Sequence, residues 1–153
     1  MKSTRLLFVD DEPGIRATLP PILRRYGFVV AVAASVREGL EQIRKQEFDV
    51  LLCDLKFQQD ADGYEIVRVM RQANPDCIIV VLTGNPTMEA AEQGIELGID
   101  DFIAKPASVD HLVATLAEKL RARRIALSEK PRRKPATANA TIADENRSDP
   151  QEF

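Results

Sequence analysis

The chain has 153 residues, room for one domain of ordinary size and an appendage, and its 44% hydrophobic content supports a conventional core. Aromatics make up only 5% and Trp is absent, so that core must be mostly aliphatic. The net charge of −3 is too small to imply a nucleic-acid or membrane partner, but it is unevenly spread. Residues 1–120 are acidic, residues 121–134 carry seven Lys/Arg against Glu129 alone, and residues 135–153 are acidic again.

No stretch at the N-terminus has the form of a signal peptide, and no apolar run approaches the ~18 residues of a membrane span, so a cytoplasmic location is expected. The first apolar run, Arg5–Val9, is followed by a helical pattern from Pro13 to about Tyr26. Pro13 suits a first turn, whereas Pro20 and Pro21 fall mid-helix and predict a kink. The second run is Val29–Ala33. Ser35 with Glu38 then forms a capping-box signature for a helix to about Gln46, with Val36, Leu40 and Ile43 as its stripe. The third run, Val50–Cys53, leads through a loop to a helix over Gly63–Ala73, where Ile66, Val67 and Met70 stand at helical spacing. The fourth, Ile78–Leu82, precedes a helix capped by Thr87 and stopped near Gly98. The fifth, Asp101–Ala104, precedes a helix capped by Ser108 with Leu112, Leu116 and Leu120 as its stripe. Beyond about Arg124 the apolar period fades. The expected division is a folded domain over residues 1–124 and a flexible, charged tail or linker over residues 125–153. Cys53 and Cys77 lie in or beside apolar runs and are expected as buried free thiols.

Several strand runs are apolar at nearly every position, the pattern of strands covered on both faces. Strand and helix alternate five times, which predicts an α/β fold with a doubly wound, five-stranded parallel sheet. A closed eight-fold barrel would need about 200 or more residues. Open sheets of this kind bind ligands beyond the carboxyl ends of their strands.

The residues at those ends carry the chemistry. Asp10, Asp11 and Glu12 follow the first strand, Asp54 the third, Thr83 the fourth and Lys105 the fifth. Clustered carboxylates repel unless a cation joins them, and hard oxygen ligands suit Mg²⁺. A metal there neutralises the oxygens of a transferring phosphoryl group. Asp54 can serve as the nucleophile that forms an acyl phosphate. Lys105 offers a point charge and Thr83 a hydroxyl to the same oxygens. Taken singly, each of these residues has a plain structural reading as a turn, a cap or a solvated surface group. Their joint order on this topology is what points to phosphoryl chemistry.

Four segments complete a resemblance. They are Leu6–Glu12, Val50–Asp54, Val80–Gly84 and Asp101–Pro106. Over roughly residues 3–122 the sequence resembles the receiver domain of two-component response regulators, which implies a flavodoxin-like (βα)5, CheY-like fold. The resemblance makes Asp54 the phosphoacceptor of a sensor histidine kinase or histidine phosphotransfer protein, with Asp10 and Asp11 as metal-binding acids. It makes the backbone carbonyl of Lys56 a further Mg²⁺ ligand. Thr83 and Lys105 become the residues that contact the phosphoryl group, and Phe102 the aromatic switch that swings inward on activation. It also implies a cis Lys105-Pro106 bond. Lys56 and Asn85 occupy positions that tune dephosphorylation. The output implied is an unnamed protein that meets the face of the fourth helix, fifth strand and fifth helix, or a homodimer formed on phosphorylation. Such a chain is a switch, not an enzyme, apart from self-catalysed phosphotransfer and slow autodephosphorylation.

The loop after Asp54 departs from the family. Its usual Met-Pro pair is missing, and Gly63 lies nine positions beyond Asp54 rather than eight. A haloacid-dehalogenase-type phosphatase also uses an Asp nucleophile and Mg²⁺, but it wants that Asp after an early strand with a second Asp two positions on; here Asp10 and Asp11 are adjacent. The basic stretch Arg121–Lys134 could touch nucleic acid, yet no reading head fits the residues that follow, so nucleic acid is not expected. A receiver portion of a longer, DNA-binding regulator is the remaining alternative.

Overall fold

The computed structural model describes residues 3–54, 62–84 and 87–129. Five strands alternate with five helices: β1 (Thr4–Val9), α1 (Pro13–Arg25), β2 (Phe28–Ala33), α2 (Val36–Lys45), β3 (Val50–Asp54), α3 (Asp62–Ala73), β4 (Ile78–Thr83), α4 (Met88–Leu97), β5 (Asp101–Ala104) and α5 (Val109–Ser128). The strands form one parallel sheet in the order β2-β1-β3-β4-β5. After β2 the chain reverses its direction of travel across the sheet. Right-handed crossovers then place α1 on one face and α2, α3 and α4 on the other. The point of reversal lies between β1 and β3.

Burial explains the run of apolar strand residues. All five residues of β3 and all six of β4 are buried. Leu7, Val9, Leu51, Cys53 and Ile79 point to one face and pack with Ile66, Val67 and Met70 of α3. Val36, Leu40 and Ile43 of α2 close over them. Gly39 lets α2 and α3 meet closely, because a Cβ there would stand 2.4 Å from Ile66 Cδ1. Cys53 and Cys77 are buried thiols, as expected.

The caps follow the sequence. Ser35 Oγ accepts from the Glu38 N–H at 3.1 Å, and Glu38 Oε1 accepts from the Ala34 N–H at 2.8 Å. Thr87 caps α4 through the Ala90 N–H at 3.0 Å, and Gly98 ends it with φ 82, a left-handed conformation that favours glycine. Both Pro20 and Pro21 lie inside α1, so the carbonyls of Arg16 and Ala17 lack an intrahelical donor.

Residues from Ser108 onward form a separate unit. Ser108 Oγ accepts from the His111 N–H at 3.0 Å and opens α5. This helix runs past Arg124, the expected domain end, to Ser128. Ile125, Ala126 and Leu127 form helix adequately, and no proline interrupts before Pro131. The expected tail from Lys130 lies outside the described residues. Among the described residues, no helix is long and apolar enough to cross a membrane.

One side chain ties several loops together. Arg71, near the end of α3, donates to the carbonyls of Pro75 (2.8 Å), Cys77 (2.7 Å) and Gly98 (2.6 Å) and pairs with Asp100 Oδ2 at 3.2 Å. Asp100 Oδ2 also accepts from the Ile79 N–H at 2.8 Å. A planar guanidinium serves these diverging acceptors, which a single ammonium cannot do. Arg71→Lys is therefore expected to destabilise the fold by about 2 kcal/mol, nearly as much as Arg71→Ala. Urea unfolding of both variants checks this, and a Lys variant as stable as the wild type would contradict it.

Candidate functional site

Strand register brings the polar residues to one edge. Val9 stands opposite Cys53, so Asp10 lies level with Asp54. Asp54 stands opposite Leu82, which sets Thr83 one step further out. Thr83 stands opposite Ala104, and Lys105 follows. The edge stays paired beyond the strands: the Asp10 N–H donates to the Ala33 carbonyl at 3.1 Å and the Lys105 N–H to the Thr83 carbonyl at 2.8 Å. The Lys105-Pro106 bond is cis, as the resemblance implied.

Asp10 and Asp54 are fully buried and Thr83 is 4% exposed. Lys105 Nζ lies 2.7 Å from Asp54 Oδ2. Asp10 Oδ1 accepts from the Glu12 N–H at 2.8 Å, whereas its Oδ2 is buried without a hydrogen-bond partner. Burial, opposed by that backbone bond and assisted by the neighbouring Asp54 charge, pushes the Asp10 carboxyl up from 3.8 to about 6. Burial also pushes up the thiol of Cys53, next to Asp54, which keeps it an inert core group.

This donor set fits a hard cation. Two buried carboxylates face one ammonium, and one carboxylate oxygen lacks any partner. The turn closed by Asp10 Oδ1 and the Glu12 N–H leads straight into α1 and leaves Asp11 exposed. Among the described residues, no three His, Cys, Asp or Glu side chains gather as a metal cage. The expected three-acid cluster is thus a buried pair with an exposed third acid beside it in the chain. Mg²⁺ tolerates this, since it keeps several waters and uses few protein ligands. Lys56 and Asn85 lie outside the described residues.

Phe102 is half-buried at the start of β5 and packs against Tyr64, Val81 and Ala90. Sequence reasoning missed Tyr64, whose place in the first turns of α3 gave no signal beyond apolar spacing. It also missed Arg16, whose Nη1 donates to the Asp10 carbonyl at 2.9 Å.

Residues 6–117 match the family described as the response regulator receiver domain. The transcriptional regulatory protein ZraR of Escherichia coli (strain K12) is 35% identical over 115 residues, covering 75% of this chain and 26% of ZraR. The photosynthetic apparatus regulatory protein RegA of Cereibacter sphaeroides is 35% identical over 116 residues, covering 74% of this chain and 61% of RegA. The chain thus spans only part of the length of these relatives. A CheY-like receiver domain protein from Methanospirillum hungatei JF-1 superposes with a TM-score of 0.76 at 29% identity, covering 82% of this chain and 99% of that one. A response regulator from Burkholderia pseudomallei, solved with a phosphorylated aspartic acid, a calcium ion and citrate, superposes with a TM-score of 0.69 at 29% identity, covering 84% and 75%. Match, sheet order and strand-end residues agree: the chain belongs to the receiver domains of two-component response regulators, a family of phosphoacceptor switches rather than an enzyme family.

Proposed function

We propose that Asp54 accepts a phosphoryl group from the phosphohistidine of a sensor histidine kinase or a histidine phosphotransfer protein. The observation that carries this reading is the fully buried Asp54 carboxylate, held by Lys105 at 2.7 Å beside a second buried acid at the sheet's point of reversal. A bond forms between an Asp54 carboxylate oxygen and phosphorus, and the phosphorus–nitrogen bond to the donor imidazole breaks. Lys105 offsets the charge of the transferred group, and the Thr83 hydroxyl donates to one of its oxygens. Asp10, Asp11, Asp54 and the Lys56 carbonyl would hold a Mg²⁺ ion, which when bound would supply neutralising charge to the non-bridging oxygens.

The acyl phosphate adds about −1.5 to −2 charges and three acceptor oxygens. Thr83 and Phe102 pass that change to a surface that includes α4, a population shift that a partner reads. Met88 and Ile95 support this surface. They stand seven residues apart on α4, 77% and 78% exposed. A second reading is favoured by the relatives that are transcriptional regulators: the receiver governs a DNA-binding output, which brings back the nucleic acid set aside because no reading head fits the residues after the domain. Mobility-shift assays on a chain joined to such an output, with and without phosphorylation, separate the two readings.

Asp54→Asn is expected to abolish labelling by acetyl phosphate or a cognate kinase, and retained label would move the nucleophile elsewhere. Lys56, a long cation two positions beyond Asp54, is assigned to shielding the acyl phosphate from water. Lys56→Ala is expected to shorten the phosphoryl half-life several-fold, read by loss of label over time.

Asp10 yields a pH-dependent prediction. Its raised carboxyl favours the protonated fold, so its contribution to stability is fully present below pH 3.8 and is lost as pH rises through about 6. Asp10→Asn is expected to stabilise the metal-free protein at pH 7.5 by on the order of 2 kcal/mol, with the gain shrinking toward pH 4. The same change is expected to remove stabilisation by Mg²⁺. Urea titrations in EDTA and in Mg²⁺ measure both, and a variant less stable than the wild type in EDTA at pH 7.5 sinks the idea.

A further inference from the structure

Gly94 sits in the seventh position of a ten-residue helix, where glycine is among the least favourable residues. No turn requires it. Positive φ among the described glycines is confined to Gly27 and Gly98, and α4 continues through Gly94 to Leu97. What Gly94 does is bare the helix surface. A Cβ at this position would stand 2.4 Å from both Cε2 and Cζ of Phe102 and 3.4 Å from Ile99 Cδ1. A side chain at position 94 and the Phe102 ring cannot share that space. The ring tip is the part free to move, because it hangs on two rotatable bonds while Gly94 is fixed in helix.

The ring's seat is built for it on the other sides. Tyr64, Val81 and Ala90, each 7% exposed or less, form the cluster it packs on. β5 pairs Phe102 with Val81, two residues before Thr83. Phenylalanine brings no hydroxyl, so an inward ring leaves no polar atom to satisfy. Admission to the seat is therefore a matter of shape, and Gly94 supplies the missing volume.

We propose that Gly94 is a positioning residue for the switch: its bare backbone admits the Phe102 ring to the seat on Tyr64, Val81 and Ala90, and any side chain there drives the ring toward solvent. This rests on Phe102 being the switch that follows phosphorylation of Asp54. The test uses the full chain as wild type, Gly94→Ala, Phe102→Ala and the double variant.

Ring exposure is read by NMR on chains carrying [13Cε]phenylalanine, with the Phe102 signal assigned by Phe102→Leu. A soluble paramagnetic agent is expected to relax that signal at least twofold faster in Gly94→Ala, with the other phenylalanines unchanged. Gly94→Ala is expected to lower the melting temperature when Phe102 is present and to raise it in the Phe102→Ala background, where only the helix preference for alanine remains. An unchanged Phe102 signal, a melting shift of the same sign in both backgrounds, or loss of folding in both overturns the proposal. Labelling of Asp54 by acetyl phosphate is expected to persist in Gly94→Ala, and its loss there alone would also overturn the positioning role. A wild type that takes no label at all sinks the phosphoacceptor reading instead, while the ring measurement still decides what Gly94 does.

Discussion

An ammonium 2.7 Å from a wholly buried aspartate is the contact on which the remaining architecture depends. Carrying a carboxylate into a low-dielectric interior costs several kcal/mol unless a partner meets it. Lys105 lies 51 residues beyond Asp54 in the chain, and the register of three adjacent parallel strands brings the two together. The sheet is therefore the instrument that places a cation against an acid, and its continuous apolar strands are what hold that register.

The second acid makes the arrangement purposeful. Asp10 is buried as deeply as Asp54, yet one of its oxygens has no partner. A fold selected for stability alone would satisfy or remove that oxygen, because an unmatched buried acceptor costs about 1–3 kcal/mol. Retaining it leaves a place where a hard cation is welcome. The site is in this sense the least relaxed part of an otherwise well-satisfied sheet, as strained groups at functional positions commonly are.

Much of this was readable in the sequence, for identifiable reasons. Val50–Cys53 and Ile78–Leu82 announce buried parallel strands because both faces are covered. Ser35, Thr87 and Ser108 announce helix starts because a hydroxyl must meet orphan N–H groups there, and all three do so. Asp10, Asp54, Thr83 and Lys105 were locatable because each directly follows a strand. Other features had no linear signature. The acceptors of Arg71 are mostly backbone carbonyls, which any residue type supplies. The seat that Gly94 opens needs a helix and a strand brought together before it exists. The exposure of Asp11 depends on a turn geometry that two adjacent aspartates do not reveal. The apolar stripe of α5 fades near Arg124, yet the helix continues to Ser128, because backbone preference outlasts the stripe.

The two ends of α4 are held very differently. Its C-terminal end leads into Gly98 and Asp100, both fastened by the Arg71 guanidinium to α3 and the approach to β4. Its N-terminal half is capped by Thr87 and packs through Ala90 on the cluster of Tyr64 and Val81. At about 1.5 Å of rise per residue, its ten residues span roughly 15 Å, with a polar grip at one end and an apolar grip toward the other. Phe102 lies on the apolar side. A change at the ring therefore acts on the apolar grip while the guanidinium fastening stays, so one helix answers to two chemistries.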